Sequence, residues 1–110
     1  MFQNIQNITM DESIDKFINQ LVIEAEVDKK VDNLVLEELK KDLRGRLENR
    51  INATILANIP DVKLEEFENL LDSGKEEELQ DFCAKNITNF PEILAAEFIG
   101  FRNRYIASQN

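Results

Sequence analysis

The sequence predicts an all-α fold: four to five amphipathic helices in one small bundle, one of them long, over about residues 33–59. Three observations predict it. Apolar residues recur at spacings of three and four along most of the chain, and no run shows period-two alternation. The 110 residues hold only three Gly and two Pro, so few positions interrupt a helix. Hydrophobic residues make up 43 % and charged residues 32 %, a balance that supports a folded core. Length fits one domain, 1–110, that buries roughly two-thirds of its unfolded surface. Residues 1–8 and 107–110 are expected to fray.

The first helix is expected to start at Thr9, which with Glu12 has the spacing of a capping box. Ile14, Phe17, Ile18, Leu21, Val22 and Ala25 form its apolar stripe, leaving Asp15, Lys16 and Glu24 to solvent. The stretch EVDKKVDN breaks the period and offers Asp32 or Asn33 as N-cap of the long second helix. That helix carries Leu36, Leu39, Leu43, Leu47, Ile51, Ile55 and Ile59 on one side. Glu37 with Lys41 and Asp42 with Arg46 mark its wet side. Gly45 inside it signals either close approach of another helix, a bend, or a tolerated surface glycine. Pro60 stops it.

Asp61 is placed to cap a third helix bearing Leu64, Phe67, Leu70 and Leu71. In LLDSGKEEELQDF, Gly74 suits the left-handed position past a helix end, and Ser73 with Glu76 has the spacing of a second capping box. Glu76, Glu77 and Glu78 then fall in the first turn of a fourth helix, where the helix dipole favours negative charge. Leu79, Phe82 and Cys83 form its inner face. Pro91 opens the last helix, whose stripe is Leu94, Phe98, Phe101 and Tyr105, broadened by Ile93 and Ile106.

Composition also bounds function. The net charge of −9 repels a phosphate backbone, so nucleic acid is not expected as a partner. The charge is uneven: Asp61 to Asp81 holds nine acids against Lys63 and Lys75, and Asn33 to Pro60 holds four acids against five bases. The lone Cys83 allows no internal disulfide and suits a reducing compartment. With neither a signal-peptide pattern nor about 18 consecutive apolar residues, the expectation is a cytoplasmic, soluble protein without membrane contact.

Chemistry-bearing motifs are sparse. The absence of histidine removes the commonest general base and the usual partner of a nucleophilic Ser or Cys, and Cys83 beside Phe82 reads as a small buried hydrophobe. The acids around Glu65 and Glu76 lack the alternating ligands and mid-loop Gly of an EF-hand. Gly74-Lys75 lacks the earlier Gly and following Ser or Thr of a phosphate loop. No cofactor and no metal is expected.

The second half, in LEEFENLLDSGKEEELQDF and NITNFPEILAAEFIGFRNRY, resembles a family of small uncharacterised helical domains from candidate-phyla-radiation bacteria, over about Leu64 to Tyr105. The resemblance implies a bacterial intracellular protein and transfers no functional residue.

Three readings of function follow. The first is a non-enzymatic protein–protein interaction module, homodimeric because the long helix outreaches its neighbours and leaves part of its stripe for a second chain. Its expected surface comprises Leu43, Leu47, Ile51 and Ile55, the bases Arg46 and Arg50, and the acids Glu65, Glu66 and Glu68. The second is a monomeric acidic regulator that covers the basic surface of a partner protein. The third is a carboxylate-based enzyme using Glu66 with Glu92 or Glu97.

Overall fold

A computed structural model describes residues 10–109, so the expected Thr9 cap lies outside the described residues. Five helices follow in order: α1 (Met10–Glu24), α2 (Asn33–Asn58), α3 (Leu64–Ser73), α4 (Glu76–Asn86) and α5 (Phe90–Ser108). No strand occurs among the described residues. The all-α bundle with one long helix is therefore the observed fold.

α1 begins with an arrangement between distant parts of the chain. The Met10 N–H donates to Oε1 of Gln80 at 3.0 Å, and the Asp11 N–H donates to Oε2 of Glu76 at 3.1 Å. Two of the N–H groups that a helix start leaves without intrahelical partners are thus satisfied by α4. Ile14, Ile18, Leu21 and Val22 are buried as the periodicity requires. A short 3-10 turn, Val27–Lys29, reverses the chain with Glu26 in the left-handed region.

α2 starts at Asp32, whose Oδ1 accepts from the Val35 N–H at 3.0 Å, and stops with Ile59 in extended backbone before Pro60. Leu36, Leu43, Leu47, Ile51, Ile55 and Ile59 are all buried. The expectation that α2 needs a second chain to cover its stripe is corrected here. α1 and α5 both pack on α2, and Leu70, Leu79 and Cys83 of α3 and α4 face Ile51 and Ile55 across a cleft. The helices are individually short, but they cover different lengths of the same stripe.

Asp61 does not cap α3. Pro60 sits in extended backbone ahead of a 3-10 turn, Asp61–Lys63, and α3 starts at Leu64 without a side-chain cap. The second capping box does not form either. Ser73 is the last residue of α3, its hydroxyl donating to the Leu70 carbonyl at 2.8 Å and accepting from the Lys75 N–H at 3.3 Å. It serves the helix behind it, because Gly74, at φ 73°, has already turned the chain.

α5 crosses α1 through Phe17, whose ring meets Phe98 edge-on at 4.9 Å and Phe101 at 6.3 Å. Such pairs contribute about 0.5–1.5 kcal/mol beyond area burial. Arg102 closes the same contact by a two-point bond to Glu24, at 3.1 and 3.3 Å. Residues 107 and 108, expected to fray, belong to α5, and the Ser108 hydroxyl donates to the Tyr105 carbonyl at 2.7 Å.

Candidate interaction surfaces

The nine residues predicted as a surface separate into three groups. Leu43, Leu47, Ile51 and Ile55 are 0–4 % exposed and form the centre of the core, so they are not available to a partner. A stripe that one chain can cover has no free-energy reason to stay open, because its burial contributes about 25 cal/mol per Å² of apolar surface.

Arg46 and Arg50 are on the surface but have partners within the chain. Arg46 pairs with Asp42 at 3.0 Å, one helical turn earlier, and Arg50 with Glu97 of α5 at 3.2 Å. Their neighbours behave alike: Lys40 pairs with Glu37 at 3.3 Å, where the sequence pointed to Lys41 as the partner of Glu37. Arg44 bridges Asp11 at 2.6 Å, Asp15, and Glu48 at 3.4 Å. Of these bases, Arg44 fastens α2 to α1 and Arg50 fastens it to α5, while Lys40 and Arg46 pair within α2 itself.

Glu65, Glu66 and Glu68 are exposed on α3. Lys63 lies 4.0 Å from Glu66. Glu65, Glu68, Asp72, Glu77, Glu78 and Asp81 make no ion pair among the described residues. α3 and α4 pack together, so these side chains form one acidic region. The described residues contain no group of three His, Cys, Asp or Glu arranged to hold a metal ion.

The carboxylates considered for catalysis are not brought together. Glu97 is bound by Arg50 and by the Thr54 hydroxyl, which donates at 2.8 Å. Glu66 is exposed on α3 beside Lys63, and neither Glu66, Glu92 nor Glu97 lines the cleft between the helices.

Sequence reasoning missed that cleft, which has a volume of about 400 Å³. Its apolar lining includes Ile14, Ile51, Ile55, Leu79, Cys83 and Phe90, and its polar residues include Asp11, Glu48, Asn49, Asn52, Lys75 and Glu76. All five helices contribute to it, α5 through Phe90 alone, so no local pattern announces it. Burial pushes the Cys83 thiol up to about 11, which keeps it protonated at neutral pH and makes it a poor nucleophile.

Exposed apolar side chains also gather at the α2–α3 corner, where Leu56, Val62 and Leu64 are 46, 88 and 37 % exposed. No helix among the described residues is long and apolar enough to cross a membrane.

No curated protein and no solved structure matches the chain. A family model described as a protein of unknown function (DUF5663) matches residues 17–105, extending well upstream of the segment whose motifs suggested an uncharacterised family. Because the match covers most of the described helices, from the middle of α1 nearly to the end of α5, the chain belongs to the DUF5663 family.

Proposed function

We propose that this protein is a non-enzymatic interaction module whose acidic α3–α4 region covers a basic surface of a partner protein. The observation that carries the reading is the group of exposed carboxylates on α3 and α4 that make no ion pair among the described residues. Arg44, Arg46, Arg50 and Arg102 are all held by carboxylates of their own chain, whereas Glu65, Glu68, Glu77 and Glu78 are exposed and unpaired among the described residues. Exposed like charges repel one another and lower the stability of the compact state. A cationic partner would relieve that repulsion. The bacterial, cytoplasmic setting expected from the sequence belongs to this reading.

Affinity capture from the source organism with the full chain tests it, using a salt series and the variant Glu65→Gln/Glu66→Gln/Glu68→Gln in parallel. The expected partner is a basic protein that elutes as salt rises, because exposed charges are screened within about 10 Å at 0.1 M, and the triple variant does not retain it. A partner held equally by the variant and insensitive to salt would refute the reading.

Homodimerisation is the second reading. Its support moves from the buried stripe of α2 to Leu56, Val62 and Leu64 at the α2–α3 corner, where apolar surface faces solvent. Sedimentation equilibrium at micromolar concentration tests it; a monomer there, unchanged by Val62→Asp, counts against it.

A further inference from the structure

The helices fall into two groups. α1 and α5 pack on α2, while α3 and α4 pack chiefly on each other. We propose that the α3–α4 hairpin is a hinged unit, which opens while the α1–α2–α5 body stays folded, and that the first turn of α1 is its latch. Such an opening is separate from the interaction reading and does not depend on what the acidic region binds.

Burial sets the two groups apart. α3 buries Phe67, and α4 buries Phe82 and Cys83, whereas α1 buries four side chains and α2 five. α5 buries only Phe90 and Phe101, but its side chains tie it to the body. Phe98 and Phe101 pack against Phe17, Glu97 holds Arg50, and Arg102 holds Glu24. A unit with few buried apolar side chains opens at a lower free-energy cost than the rest of a fold. The cleft runs along the seam, between Leu70, Leu79 and Cys83 on the hairpin and Ile14, Ile51 and Ile55 on the body. Side chains facing a gap forgo part of the dispersion contact that a filled core would give them.

The chain is suited to turning at both ends of the hairpin. Ile59 and Pro60 are extended ahead of the 3-10 turn Asp61–Lys63. At the other end Ile87 is extended and Asn89 lies in the left-handed region at φ 60°. Rotation at these places changes backbone angles without breaking a helix.

The latch is the pair of hydrogen bonds from the Met10 N–H to Gln80 and from the Asp11 N–H to Glu76. Arg44 holds the Asp11 side chain to α2, so the first turn of α1 is fixed to the body on one side and to the hairpin on the other. When the hairpin swings away, both N–H groups return to water, and Cys83, 1 % exposed in the closed form, becomes reachable.

Cys83 is the only thiol, so its alkylation by iodoacetamide in the native state reports the opening. The full chain is labelled across a urea series below its unfolding transition, and the rate in unfolded chain divided by that rate gives a protection factor. The expected protection is at least about tenfold below the global unfolding constant, with a shallower dependence on urea, because a partial opening exposes less surface. Hydrogen exchange should give the amides of α3 and α4 that same protection, while those of α1 and α2 keep the protection of global unfolding.

Two variants separate opening from unfolding. Gln80→Ala removes the acceptor of the Met10 N–H and should speed labelling about fivefold, the change usual for a lost helix cap. Ile18 faces α2 beside Lys40 and Arg44, outside the seam. Ile18→Val should therefore lower the urea midpoint of global unfolding and leave Cys83 labelling unchanged, since Ile18 stays packed in the open form. Protection equal to the global unfolding constant overturns the proposal, as does labelling that quickens in step with the destabilisation of Ile18→Val. Exchange that releases α1 together with α3 and α4 overturns the hinge, and an unchanged rate in Gln80→Ala overturns the latch.

Discussion

Gly45 provides a direct test of whether α2 is finished within one chain. It lies in the middle of a 26-residue helix, and a Cβ built there meets nothing within 4 Å. The substitution Gly45→Ala therefore adds a methyl group without collision and without a new packing contact. What remains is the backbone: glycine loses more conformational freedom on entering a helix than alanine does, by about 0.8–1 kcal/mol. Taking an unfolding entropy of about 2.1 cal/mol/K per residue over 110 residues, that gain raises Tm by about 4 °C. The assay is urea and thermal unfolding followed by circular dichroism at two protein concentrations a hundredfold apart. The expected result is a rise in the urea midpoint at unchanged slope, equal at both concentrations. A loss of stability, above all one that grows with protein concentration, would refute the reasoning. It would mean that another helix approaches Gly45 closely in solution, which is the arrangement a homodimer along α2 requires.

Leu47→Ala, at a side chain 0 % exposed, should cost about 2–5 kcal/mol by lost burial and cavity formation, read as the shift in urea midpoint; a cost under about 1 kcal/mol would place Leu47 outside the core. Arg44→Met removes the shared partner of Asp11, Asp15 and Glu48 and should cost about 1 kcal/mol, less as salt is raised; stability that does not change at low salt would contradict a role for this network. Glu76→Ala should lose about 0.5–2 kcal/mol, the usual worth of a side-chain cap, because the Asp11 N–H loses its acceptor; faster amide exchange at Asp11 identifies the mechanism, and unaltered exchange argues against it. For Cys83 the folded thiol ionises near 11 against an ordinary 9.0. The folded state therefore holds its proton over a range where the unfolded state has lost it. Stability should fall as pH rises from about 9 to 11, and Cys83→Ala should flatten that part of the profile; an unchanged slope would show that other groups produce it.

The helices themselves were legible from the chain because their causes are local. The stripe from Leu36 to Ile59 follows the helical repeat, Asp32 supplies its cap from three residues away, and Pro60 ends it by removing an N–H. Gly74 was legible for the same reason, since a left-handed turn selects glycine at the position itself. The misses at Asp61 and Ser73 were local too, and were decided by small margins: one helix cap is worth about 1 kcal/mol, and a 3-10 turn or a bond to the preceding helix can displace it.

The predicted surface failed where it depended on who covers whom. Leu43, Leu47, Ile51 and Ile55 announce an apolar stripe, but periodicity says nothing of whether that stripe meets another helix of the same chain or a second copy. Arg46 and Arg50 announce charge, and only the packing of α5 on α2 brings Glu97 to Arg50. The caps given to α1 by Glu76 and Gln80 join residues 65 and 70 positions apart, and the cleft beside them is lined by residues of all five helices.

By itself, then, the sequence determined where each helix lies, which face of it is apolar, and that the chain is strongly acidic, since these depend on propensity, period and composition within a few residues. Only the tertiary structure decided which apolar faces cover one another, which arginines pair with carboxylates of distant helices, and which carboxylates of α3 and α4 stay exposed. Those outcomes depend on how distant segments meet in space, and the physics of neighbouring residues does not encode that.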